Sequence, residues 1–556
     1  MTIHKNTSLD PAHVRDLALR IVSWPSETGT VGEAEFADRL HALLLEIPYF
    51  RDHPDDIRLI ESHGDPLTRN VVAVVRGTGR KTIALAGHFD TVSTDNYHEL
   101  KPIACDGLKL KEALIADLSV KTRSEQEERA LQDLLSGDFL PGRGMLDMKS
   151  GDAAGIACLE HFAGSPDRKG NLMLILTPDE ERESRGMRSL RDALPGLADA
   201  FDVEISAAIN MDVTSDQGDG REGRAVYAGT IGKLLPFALV IGCSSHASYP
   251  FEGVSAQAMA AGILSRFEGN AALADKDDSD VSPPPICLEA KDLRDGYEVT
   301  TPERFWIAFN WLYHAMTAEE LFERFRSEVL TGATEAVDRF AAQSLEYGRL
   351  VSKSAGATPA NPRLFNFAEL RTLAAQFAGE GFEALYADKE ASLSAIDNPL
   401  SLTRQITEWL VGVARLSGPA IVVGFSGLHY PASRLRTEHA NDRALHTAIE
   451  KARASLGNAP DRSLTWKPHF QGISDMSFLG QAAMSSDVVS QNTPISRLID
   501  HPPANALRFP AVNIGPWGRE FHQKLERVHA PYAFEVLPNL VADIVDQFLN
   551  ETSNDV

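Results

Sequence analysis

The sequence predicts an α/β fold in which a mostly parallel sheet, covered by helices on both faces, is interrupted by an inserted α+β unit. Three observations lead there. The first third of the chain alternates short apolar runs with helix-period segments, the pattern of a parallel sheet. The length of 556 residues exceeds what one ordinary core supports, so two compact units are expected. A long tract of helical pattern, 318–415, then separates the strand-like run at 305–313 from another at 420–424.

Taken in order, 11–24 and 32–47 read as amphipathic helices, and 70–77, 82–87 and 172–177 as short apolar strands, with a helix over 148–164. The charged stretch 109–138 breaks the alternation and reads as a helical surface insertion. A strand at 205–211 is followed by the glycine- and charge-rich run 217–223, which reads as a hinge. Beyond it come a strand at 234–241, a helix at 255–267 and the strand and helical tract already named. From 441 onward helices and strands resume, finishing in 534–550. The expected layout is a first unit made of residues 1–222 and 431–556, with residues 223–430 inserted as the second.

Composition narrows the function classes. A formal charge of −24 leaves no general basic surface to neutralise phosphate, which argues against nucleic-acid and anionic-membrane partners. Residues 1–12 are polar and carry no secretory signal pattern, and the longest apolar runs are far too short to span a bilayer. Cys105, Cys158, Cys243 and Cys287 are scattered without a CxxC or pairing interval, which fits a reducing, cytoplasmic setting and does not suggest metal ligation.

Sheets of this kind place ligands at the carboxyl ends of their strands, so the residues just after each run carry the chemical question. His88-Phe89-Asp90 follows the strand 82–87; alternation puts both side chains on one face, so Asp90 can hold the ring of His88 while the other ring nitrogen meets a metal. His53-Pro54-Asp55 and His63-Gly64-Asp65 share the pattern but sit in polar loops. Asp147 opens a helix between glycines, where a carboxylate can bridge two cations. Glu180 and Glu181 follow the strand 172–177 and point opposite ways, so one can ligate while the other faces a water. Asp212 ends the strand 205–211, and His522 with Glu526 lies near the C-terminus. Each alone is ordinary, an exposed acid or a satisfied core histidine; their joint order and matching contexts are not.

The ordered set His88-x-Asp90, Gly144-x-x-Asp147-Met148-Lys149-x-Gly151, Asp179-Glu180-Glu181, Asp212 and the late His522 with Glu526 resembles the metallopeptidase and deacylase family of acetylornithine deacetylase, succinyl-diaminopimelate desuccinylase, aminoacylase and the glutamate carboxypeptidases. Within it, Thr300-Thr301-Pro302 and Phe309-Asn310-Trp311-Leu312, with the length and insertions, resemble RocB-type arginine-utilization proteins. The resemblance implies a zinc-hydrolase domain from both ends of the chain and an inserted lid or dimerisation domain. It implies two divalent ions, zinc first and cobalt or manganese as alternatives, one held by His88, Asp147 and Asp212 and the other by Asp147, Glu181 and His522. Asp90 would orient His88, and Glu180 would be the general base. Gly242-Cys243-Ser244-Ser245-His246-Ala247-Ser248-Tyr249-Pro250 resembles the family's lid signature, in which His246 would hydrogen-bond the developing oxyanion. Asp475 resembles a supporting motif residue.

The implied reaction is hydrolysis of an amide, peptide or N-acyl bond of a small amino-acid-type substrate, with a place in arginine catabolism; the rival from another class is a binding or regulatory protein on the same scaffold. Two departures bear on the substrate. Relatives carry an asparagine and an arginine where this chain has Val299 and Leu312, and aliphatic side chains cannot pair with a substrate carboxylate. Arg434 and Arg436 are the replacements weighed for that role. The long lid implies either a homodimer through it or a monomer with an enlarged lid.

Overall fold

The computed structural model describes residues 8–352, 360–456, 463–481 and 486–550. The chain divides into two compact units: Met1–Thr230 with Ser433–Ala483 and Pro502–Val556, and Ile231–Ala432 with Met484–His501.

The first unit is built on an eight-stranded sheet in the spatial order Ile57–Glu61, Arg69–Val75, Lys169–Thr177, Thr78–His88, Glu204–Asn210, Ala511–Asn513, Ala225–Tyr227, Thr465–Lys467. Its four middle strands, from Lys169–Thr177 to Ala511–Asn513, run parallel, while the first two pairings are antiparallel. Ile83 to Ala86 and Leu172 to Leu176 are buried without alternation, as strands covered on both faces must be. Helices Ser150–Gly164 and Leu537–Asn550 supply apolar cover, and Pro11–Val22 begins at Asp10, whose carboxylate accepts from the Ala12 N–H. The excursion at 109–138 is a helix pair, Gly107–Val120 and Glu125–Ser136. The second of these carries a Ser124/Glu127 capping box and stops at Gly137 with φ 91°. The pair closes over a small apolar cluster that includes Tyr97, Leu114 and Leu131.

The 217–223 run is not where the units divide. The Asp216 carboxylate accepts from the N–H groups of Gly218, Glu222 and Gly223 at 2.6, 3.1 and 3.4 Å, gathering the run into a turn of the first unit, and the chain leaves that unit after Thr230.

In the second unit the strands lie in the order Gly232–Leu234, Arg304–Tyr313, Pro236–Ile241, Ala420–Phe425, Arg363–Asn366, with Ile286–Asp292 also on Arg304–Tyr313. Alternation sorts the two faces. Ala238, Val240, Ile307, Phe309, Ile421 and Val423 pack with helices Ala256–Phe267 and Ala318–Leu350. Phe237, Leu239, Trp306, Ala308 and Val422 pack with Phe367–Ala378 and Pro399–Val413. The expected strand 234–241 is broken at Leu235, before Pro236, whose ring nitrogen offers no N–H to a ladder. The helical tract contains one short strand, Arg363–Asn366, and residues 484–501 return to this unit rather than staying with the C-terminal part of the first. No described helix is long and apolar enough to cross a membrane.

Candidate metal centre

Three neighbouring parallel strands in the interior of the first unit's sheet deliver four acidic and histidine side chains to its carboxyl end. His88 closes Thr78–His88 and pairs in register with Thr177, so the Glu180-Glu181 turn that follows Lys169–Thr177 stands beside it. On the other flank Ala86 pairs with Asn210, which sets Asp212 just past its strand end at the same level. Asp147 comes from the irregular turn Met145–Lys149 that opens helix Ser150–Gly164, and His522 from the loop joining the antiparallel strands Trp517–Arg519 and Arg527–His529.

Two groups that could each hold a metal ion result, with candidate donor atoms within 4.8 Å of one another: His88, Asp147 and Asp212, and Asp147, Glu181 and His522. Asp147 belongs to both through different oxygens. Its Oδ1 is 3.2 Å from His88 Nε2 and its Oδ2 is 3.0 Å from His522 Nε2. His88 Nε2 is also 3.7 Å from Asp212 Oδ1, and His522 Nε2 is 3.1 Å from Glu181 Oε2. Such a set, all imidazole nitrogen and carboxylate oxygen with no thiolate, has the donor chemistry to hold two divalent cations.

Asp90 does two things. Its Oδ1 stands 3.5 Å from His88 Nδ1, and its carboxylate accepts from the N–H groups of Glu180 and Glu181 at 3.1 and 3.3 Å and from Thr28 Oγ1 at 2.8 Å. His88 Nδ1 is also 3.2 Å from the Asp90 carbonyl oxygen, so that one buried residue stands against both the His88 ring and the turn that carries the two glutamates. Glu180 Oε2 lies 3.9 Å from His88 Nε2. Asp475 is buried and accepts from Thr177 Oγ1 at 2.9 Å, and burial pushes its carboxyl up to about 7.

Electrostatics follow from this crowding. Burial opposes a charge on His88, but hydrogen bonding to Asp147, Asp212 and Asp90 outweighs it and holds the imidazolium well above its usual range. Burial likewise works against His522, yet Asp147 and Glu181 raise it to about 10. Burial pushes the Glu180 carboxyl well above the ordinary range; Asp212 and Glu181 add to this and His88 works against it. Burial would raise Asp147 too, but its two histidine partners hold it below.

The first unit thus brings together His88, Asp90, Asp147, Glu180, Glu181, Asp212 and His522. His246 belongs to the second unit, on an exposed loop, where its Nδ1 accepts from the Ser248 N–H at 3.1 Å, so that the neutral ring carries its proton on Nε2. The Val299 carbonyl accepts from the Ala247 N–H at 3.0 Å, and Leu312 sits in the sheet opposite Lys233. The look-alike His53 packs tilted against the Tyr49 ring, centroids 4.7 Å apart, and His63 stands 3.6 Å from Asp179; neither joins the two groups. Arg143, Asn96 and Thr28, which support the ligands, carry no local pattern that singles them out.

The model of Peptidase family M20/M25/M40 matches residues 124–507. YqjN of Bacillus subtilis is 30% identical over 97% of this chain and 96% of its own, and Protein RocB of the same organism is 28% identical over the same shares. Among solved structures, a tripeptidase from Staphylococcus aureus superposes with a TM-score of 0.53 at 16% identity, covering 98% of this chain and all of that one, a likeness of fold.

Proposed function

The chain belongs to Peptidase family M20/M25/M40, and from that premise we propose that it is a two-metal hydrolase that splits an amide, peptide or N-acyl bond of a small amino-acid-type molecule. One observation carries the reading: the two oxygens of Asp147 face two separate histidine-and-carboxylate groups. His88, Asp147 and Asp212 would hold one ion and Asp147, Glu181 and His522 the other. Zinc suits the donors best, and cobalt or manganese fits the same nitrogen and oxygen set. Bound there, a pair of divalent ions supplies Lewis acidity toward the substrate carbonyl and draws a water's pKa down toward about 7.

The side chains do the rest. Glu180, whose Oε2 stands 3.9 Å from His88 Nε2, takes the proton of the attacking water and returns it to the departing amine nitrogen. Asp90 keeps the His88 ring and the Glu180 turn in register through that exchange. His246, with Nδ1 occupied by the Ser248 N–H, has Nε2–H to donate to the developing oxyanion. The second unit then acts as a lid, and either as a homodimer contact or as an enlarged substitute for one; a solution mass of one or two times 60.6 kDa separates these. Four unpaired cysteines suit a cytoplasmic enzyme. The RocB likeness makes arginine derivatives the first substrates to try, with Val299 and Leu312 arguing against a gripped free carboxylate at those two positions.

The test is metal content followed by a screen of acylated amino acids, arginine derivatives and dipeptides. About two ions per chain with chelator-sensitive cleavage is the expected result. Metal-loaded protein that cleaves nothing across the panel would favour the binding or regulatory reading.

A further inference from the structure

The two loops that meet at the Asp147–His522 contact are remote in sequence and are joined by one buried ion pair. Arg143 Nη1 and Glu526 Oε2 are in direct contact, with both side chains almost wholly buried. From this pair each partner reaches a different loop. Glu526 Oε1 accepts from the N–H groups of Leu146 and Asp147 at 3.2 and 3.4 Å, fixing the main chain under the shared carboxylate. Arg143 Nη2 donates to the His522 carbonyl at 3.3 Å and to Asn96 Oδ1 at 3.0 Å, and Asn96 Nδ2 donates to the same carbonyl at 2.9 Å. His522 has φ 64°, a left-handed backbone that a residue with a side chain holds only when its surroundings insist. Two donors on its carbonyl are that insistence. The Tyr97 ring, 5.2 Å from the guanidinium carbon, closes the remaining face.

Within the first group the arrangement differs: His88 and Asp212 stand at the ends of strands hydrogen-bonded to each other, so the sheet itself spaces them. The geometry points to Asn96 and Arg143 as positioning residues of the second group. They set where His522 stands relative to Asp147, and through it the affinity for the second ion; Asn96 acts on the His522 side alone, whereas Arg143 also reaches the shared Asp147 through Glu526, so that Asn96 is the cleaner probe of the second group. This rests on the two-ion reading above.

Asn96→Ala leaves the Arg143–Glu526 pair intact, and Arg143→Lys keeps the charge pairing while losing the fork that reaches Asn96 and His522. Metal-stripped protein is titrated with Zn²⁺ or Co²⁺ by calorimetry, alongside thermal unfolding. The wild type takes up two ions in two steps. Asn96→Ala is expected to weaken the second step by about ten- to a hundredfold with the first step unchanged within about twofold. Arg143→Lys acts in the same direction. Asn96→Asp, which still accepts from Arg143 but cannot donate to the His522 carbonyl, matches Asn96→Ala and does not rescue. Equal loss at both steps, or an unchanged second step with a lower unfolding temperature, overturns the inference by reducing these residues to support of the fold. A wild type that binds fewer than two ions fails earlier and strikes the two-ion reading itself, whatever the variants do.

Discussion

His88 and His522 face opposite oxygens of one carboxylate, yet the side chain of the first is 2% exposed and that of the second 41%. The buried half of the centre is made from strand ends whose spacing is imposed by the sheet, with Asp90 and Asp212 as further walls. The open half hangs His522 from a connecting loop with a left-handed backbone and fixes it through its carbonyl. Two ways of achieving the same donor chemistry follow from this. Where regular structure supplies the spacing, the ligands need only follow the strands; where a loop supplies it, side chains distant in sequence must hold the loop.

The bluntest test removes what the halves share. Asp147→Ala should empty both groups and lower turnover on the order of 10⁴-fold, several kcal/mol of lost transition-state stabilisation, read as metal content and hydrolysis rate together. One ion retained at full strength would mean that Asp147 does not bridge. Glu180→Ala separates chemistry from binding: both ions stay, and kcat falls by about 10²–10⁴-fold. Normal cleavage by this variant removes Glu180 from the role of base. His522→Ala and His88→Ala then divide the halves. The first should lose the second ion's affinity by more than about a hundredfold while keeping the first ion, and the second should do the reverse.

A smaller effect tests the rigidity of the buried half. A Cβ on Gly515 would lie 1.8 Å from the Asp212 carbonyl oxygen and 2.7 Å from that of Met211, both main-chain atoms at the strand end that carries the ligand. Gly515→Ala should cost about 1–3 kcal/mol of stability, seen as a lower thermal midpoint, and weaken the first ion in preference to the second. Equal weakening of both ions would show that the halves are less independent than their construction suggests.

The same contrast explains which parts of the centre are legible in the sequence. His88, Asp90, Glu180, Glu181 and Asp212 were legible because each follows an apolar run, and parallel sheets present their chemistry at such ends. His522 has no strand pattern of its own to announce it, and only its place in an ordered family set drew attention to it. Arg143 and Asn96 were invisible: their partners lie 383 and 426 residues away, and no local periodicity encodes a contact at that range. Strands of three residues, such as Ala225–Tyr227, Thr465–Lys467 and Ala511–Asn513, are likewise too short to show a period. The 217–223 run looked like a hinge because glycines and charges mark turns of every kind; that Asp216 would gather it into a tight turn depends on hydrogen bonds that composition does not reveal.

The finest comparison of the halves counts protons. Both histidines are held more basic than usual by their carboxylates, His522 to about 10, and in the proposed two-ion reading both present a bare nitrogen to a cation. With both rings held more basic than usual before any ion arrives, loading is expected to release protons at each step, and affinity to rise with pH through the neutral range. Calorimetric titration in two buffers of different ionisation enthalpy measures the number released at each step. The halves should diverge in salt, since charges 41% exposed are screened and those 2% exposed are not, so the His522 step weakens with ionic strength more than the His88 step. A His522 step that releases no proton would mean that Asp147 and Glu181 do not grip the ring before the ion arrives, leaving the Asn96 and Arg143 hold on its carbonyl to place it alone.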